Sequence, residues 1–77
     1  MTKTLFSERH DRFRELLVEA REKRGLTQMD VARKLGHPQS FVSKYENGER
    51  RLDVVEFLEV AGALGLDPCR FIRQLLR

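Results

Sequence analysis

The stretch GHPQSFVSKYENGER, residues 36 to 50, carries five hydrogen-bonding side chains at helical intervals: Gln39, Ser40, Ser43, Lys44 and Asn47. At about 100° per residue they share one side of a helix, while Phe41, Val42 and Tyr45 share the other. The usual fate of such polar residues is simple solvation, and a solvated face ordinarily favours Lys and Glu. This row instead offers Gln, Ser, Ser and Lys, groups that donate to and accept from base edges without presenting a negative charge to phosphate. That is the chemistry of a helix lying in a DNA major groove. Phe41 is ambiguous: its wheel position beside Tyr45 favours the core, and its place near the groove suits contact with a thymine methyl.

Such a helix reads bases only if other elements hold it. From Ser7 to Arg24, Phe13, Leu16, Leu17 and Ala20 recur at i, i+3, i+4 and i+7 among charges, which predicts a first helix with one buried face, stopped by Gly25. Thr27 is a good N-cap with Asp30 at N3, and a second helix is expected from Gln28 to Leu35, burying Val31, Ala32 and Leu35 before Gly36 breaks it. The third helix is expected to open near Pro38, in its first turn, and to close at Asn47-Gly48. After the linker ERRLD, Asp53 caps a fourth with Val54, Phe57, Leu58, Ala61 and Leu64 as its apolar stripe. Gly65 ends that helix, and Asp67-Pro68 starts a fifth. The fold class expected is all-α: five helices in one domain spanning residues 1–77, with no strand, repeat or low-complexity segment. Two short helices joined by a Gly-containing turn, about residues 27–47, form a helix-turn-helix.

With 77 residues, 40% of them hydrophobic, the core is modest. Fifteen Lys and Arg against twelve Asp and Glu give a net charge of +3 and an isoelectric point near 9.5, which leans towards a polyanionic partner. Cys69 is the only cysteine, so no internal disulfide forms, and His10 and His37 are too far apart in sequence to suggest a metal cluster. MTKTLFSERHD lacks the apolar stretch of a signal peptide and no run is long enough to span a bilayer, so a cytoplasmic protein away from membranes is expected.

Residues 26 to 68, LTQMDVARKLGHPQSFVSKYENGERRLDVVEFLEVAGALGLDP, resemble the lambda-repressor-like helix-turn-helix family, also called the Xre family. The resemblance lies in LTQ at the second helix, an alanine within it, the LG turn, the S.YENG close of the third helix and ALGLDP after the fourth. It implies a five-helix DNA-binding domain, usually a dimer acting as a transcriptional regulator. Carried over by position, base reading falls on Gln39, Ser40 and Lys44, with Ser43 as a weaker candidate. Phosphate contact falls on Gln28, Asn47, Arg50 and Arg51. Arg21 and Glu46 fall where the family joins its first and third helices by an ion pair. Pro38 departs from the pattern, since Ser or Thr is commoner there and proline cannot donate a hydrogen bond.

Phe71, Ile72, Leu75 and Leu76 form an apolar cluster near the chain end, more than a small core readily absorbs, and mark a homodimer interface suited to a palindromic site. A catalytic role fares poorly, because no nucleophile–base grouping, phosphate loop or paired carboxylates assemble on this helical pattern. No cofactor, metal or small-molecule ligand is implied. Cys69 reads as a small residue of the fifth helix. The alternative to a stand-alone regulator is an antitoxin-type module that binds both DNA and a protein.

Overall fold

α1 (Glu8–Lys23), α2 (Gln28–Leu35), α3 (Gln39–Asn47), α4 (Val54–Leu64) and α5 (Pro68–Leu76) follow one another in a computed structural model that describes residues 7–77. No strand occurs among the described residues. The expectation of no leader at the chain start concerns residues 1–6 in part, which lie outside them.

Side-chain oxygens start four of the helices. Ser7 Oγ accepts the His10 N–H at 3.1 Å for α1. At α2, Thr27 Oγ1 accepts the Asp30 N–H at 3.0 Å while the Asp30 carboxylate accepts that of Thr27 at 2.9 Å, a reciprocal capping box. Asp53 and Glu56 repeat the device at α4, and Asp67 caps α5 through the N–H of Cys69. α3 is the exception. Pro38 stands at its N-cap, not in its first turn as expected: a ψ of 156° keeps it extended, and it has no side-chain oxygen to bond the free N–H groups behind it.

The core takes Leu16, Leu17 and Ala20 from α1, Val31 and Ala32 from α2, Val42 and Tyr45 from α3, Phe57, Val60, Ala61 and Leu64 from α4, and Phe71 from α5. α2 packs on α3 and α4, and α1 on α3 and α5. Leu35 is only half-buried against this core. On α4 the inward arc is centred differently from the expected stripe, burying Val60 and leaving Val54 and Leu58 exposed. The reason is legible in composition: α4 is apolar almost all round, so its sequence alone does not choose which arc faces in.

Phe13, Phe57 and Phe71 meet with ring centroids 5.2–5.7 Å apart, tying α1, α4 and α5 together. This commits Phe71, one of the four residues expected at a dimer interface, to the core of its own chain with 3% exposure. Leu75 packs partly against the core, and Ile72 and Leu76 remain outward, 40% and 62% exposed. No helix among the described residues is long and apolar enough to cross a membrane.

Candidate nucleic-acid interface

α3 is nine residues long and turns Val42 and Tyr45 into the core. Gln39, Ser40, Lys44 and Asn47 are exposed and Ser43 is half-buried, so the five hydrogen-bonding residues expected on one face share the outward side. Asn47 Nδ2 donates to Ser43 Oγ at 3.4 Å, one turn back.

What holds this face in place is a hydrogen-bonded relay from α1. Arg21 donates from Nε to Glu46 Oε2 at 2.8 Å and from Nη2 to Oε1 at 3.2 Å, and its Nη1 reaches the Leu26 carbonyl at 2.8 Å. The two side chains are 14% and 5% exposed. Hydrogen bonding to Glu46 holds the Arg21 guanidinium above its ordinary pKa despite burial. Glu46 Oε1 also accepts from Gln28 Nε2 at 2.9 Å, and Gln28 Oε1 accepts from Gln39 Nε2 at 3.2 Å. The ion pair joining the first and third helices is therefore present. Gln28, assigned to phosphate contact, and Gln39, assigned to base reading, touch each other, a pairing that the sequence did not reveal across eleven positions. Arg14 adds a second tie, donating from Nη1 to the Glu46 carbonyl at 3.3 Å while pairing with Asp11.

The loop after α3 is more ordered than a free basic segment. Arg50, assigned to phosphate contact, donates from Nη1 and Nη2 to the two Glu56 oxygens at 3.0 and 2.7 Å, and from Nη1 to the Arg51 carbonyl at 2.9 Å. Its guanidinium lies 4.6 Å from the Phe41 ring centroid, and the His37 ring stacks on Phe41 at 4.2 Å, within 12° of parallel. Arg50 thus braces the loop against α4, and Phe41 is half-buried, packed on the core and on Tyr45 edge-to-face. The Arg50 guanidinium, helped by the Asp53 N–H, holds the Glu56 carboxyl down at about 2. Arg51 lies exposed in the same loop. The sequence reading missed His37, Glu56 and Arg14. Only Glu56 had a signal, its capping-box spacing from Asp53.

Comparison with known proteins agrees with this fold. The helix-turn-helix family model matches residues 17–71. An XRE-family like protein from Pseudomonas syringae pv. tomato str. DC3000 is 49% identical, with 87% of this chain and 82% of that one covered and a TM-score of 0.84. The restriction-modification controller protein C.Esp1396I, solved as a tetramer in complex with its natural 35 base-pair operator, shares the fold at 21% identity, covering 92% and 93% of the two chains with a TM-score of 0.83. The same controller in wild-type form has a TM-score of 0.83 over 92% and 91%, also at 21% identity. Among curated protein sequences none matches this chain. The family match over most of the chain, the half-identical structural relative and the relay-braced α3 converge: this protein belongs to the XRE-type helix-turn-helix family of DNA-binding transcriptional regulators.

Proposed function

We propose that residues 1–77 act as one non-catalytic, sequence-specific reader of duplex DNA, which lays α3 in the major groove of a palindromic operator as a homodimer. The observation that carries this reading is the brace behind Gln39: its amide is oriented by Gln28, and Gln28 by a carboxylate locked to α1. A side chain oriented before binding loses less rotamer freedom on meeting a base edge. Gln39 suits N6 and N7 of adenine, Lys44 suits O6 and N7 of guanine, and Ser40 and Ser43 suit either partner.

Gln28 opens α2, where free backbone N–H groups meet a phosphate favourably. Asn47 and Arg51 anchor the other end of α3. Arg50 enters as the brace of the loop that presents Arg51. The outward Ile72 and Leu76 belong to the two-fold interface, which sets the two recognition helices about 34–36 Å apart or a multiple of that.

Selection from a random duplex pool tests the proposal. The enriched site is a palindrome bound at physiological salt more tightly than scrambled DNA. Gln39→Ala or Lys44→Ala costs roughly 1–3 kcal/mol and relaxes preference at particular base pairs, whereas Arg51→Ala weakens all sequences alike and flattens the salt dependence. Equal affinity for selected and scrambled DNA overturns the reading.

A further inference from the structure

Away from α3, a groove of about 690 Å³ runs between the C-terminal half of α1 and the length of α5. Its α5 bank carries Arg70, Arg73 and Arg77, spaced i, i+3 and i+7 and so aligned in one stripe. Its α1 bank carries Lys23 and Glu19, and between the banks lie the half-buried Leu66 and the edges of Leu16 and Ala20, which are otherwise covered in the core. Lys23, Arg70, Arg73 and Arg77 form no ion pair among the described residues. Counting side chains alone, with Arg24 the groove holds five cations against the carboxylates of Glu19 and Asp67. That excess of three equals the net charge of the whole chain, so the remainder of the molecule balances. Asp67, moreover, is occupied in capping α5.

Helix stability does not account for the stripe. Cations in the last turn of α5 complement its dipole, which covers Arg73 and Arg77, but Arg70 sits in the first turn, where a positive charge is unfavourable. Nor is the groove an extension of the α3 surface. α1 turns Arg14 and Arg21 to α3 on one flank and Leu16, Glu19, Ala20 and Lys23 to the groove on the other, and no residue of α2, α3 or the loop after α3 lines it.

We propose that this groove docks an acidic amphipathic helix of a partner protein. Charge complementarity selects carboxylates, and the apolar residues between the banks select among their carriers. A duplex presents phosphates to the cations and nothing to Leu16 or Leu66, and a small anion is not enclosed by a groove open on its solvent side. A helix uses both, laying Leu or Phe between the banks and pairing Asp or Glu at i, i+3 or i+4, and i+7 with the arginine stripe. The nine residues of α5 give a bank about 13 Å long, which spans two to three turns of such a helix. This surface is independent of the DNA-reading proposal and goes beyond it.

The test pans the full chain against a displayed library of random 12-residue peptides. The expected enrichment is in sequences with carboxylates and large apolar residues at helical spacing. Synthesised with a fluorescent label, an enriched peptide binds the wild type and loses roughly tenfold in affinity with Arg73→Glu/Arg77→Glu, read by anisotropy. Arg73→Gln/Arg77→Gln, which removes charge without reversing it, shows a smaller loss and decides the matter if the first variant folds poorly. At a salt concentration that screens charges away from the contact, binding to a selected DNA site stays unchanged in the neutral variant. No enrichment, enriched peptides without acidic residues, or equal binding by the neutral variant overturns the proposal. A parallel loss of DNA affinity overturns it in favour of a phosphate footprint. A wild-type dimer that dissociates on charge removal overturns it in favour of a second copy as occupant.

Discussion

Glu46 and Glu56 are two carboxylates of the same helical array put to different uses. Glu46 is buried and accepts from Arg21 and Gln28 together, so neither of its oxygens is left without a partner. A buried pair of this kind repays its desolvation cost poorly, and its value here is the orientation passed to Gln28 and Gln39. Glu56 is partly exposed, and the Arg50 guanidinium holds its carboxyl below the usual range. Its folded pKa of about 2 lies below the ordinary 4.5, so its stabilising contribution is present above about pH 4.5 and is lost as pH falls towards 2. Thermal melts from pH 5 to pH 2 should therefore show a shallower acid slope in Glu56→Gln than in wild type, with a lower melting temperature at pH 5. Identical slopes would mean that the clasp with Arg50 does not persist in solution.

At the scale of elements, the turns are as specified as the helices. Gly36 and Gly48 close α2 and α3 with φ of 71° and 81°, a left-handed backbone conformation that residues carrying a Cβ adopt at a cost. Their surroundings differ. A methyl group at Gly36 meets nothing within 4 Å, whereas one at Gly48 lies 3.1 Å from the Arg14 guanidinium carbon. Gly36→Ala should cost about 1–2 kcal/mol from conformation alone. Gly48→Ala should cost more, because Arg14 must also move from the Glu46 carbonyl at the end of α3. Urea denaturation of the two variants side by side checks the order, and a Gly48→Ala loss equal to or smaller than that of Gly36→Ala would show that Arg14 gives way freely.

For the whole molecule, the telling feature is how little of α5 the core uses. Phe71 is consumed by the three-phenylalanine cluster and Leu75 is partly covered, while Ile72 and Leu76 face outward, and on α4 Val54, Val55 and Leu58 are exposed as well. A proposed two-fold dimer buries this surface and doubles the number of bases read. Because Leu76 is already largely exposed in one chain, Leu76→Glu should leave the fold intact by circular dichroism and convert a micromolar dimer to a monomer in sedimentation. A wild type that sediments as a monomer and binds its site as one copy would remove the dimer from the functional reading.

Capping residues, glycine stops and apolar periodicity determined five helices and the outward row of α3 from the sequence alone, because each is a local property: a capping box needs only four residues and an amphipathic face only a few turns. Thr27 with Asp30, and Gln39, Ser40 and Lys44 on one face, could be read without knowing what lay opposite. The tertiary structure decided everything that required two elements to meet. It chose Val60 over Leu58 as the inward residue of an α4 apolar on most sides, drew Phe71 into the core through Phe13 and Phe57, and turned Arg50 to Glu56. It also linked Gln28 to Gln39 through a turn that folds α3 back on α2. Each of these choices depends on the direction in which a neighbouring helix approaches, and that direction is set by packing of the whole chain, which no local stretch encodes by itself.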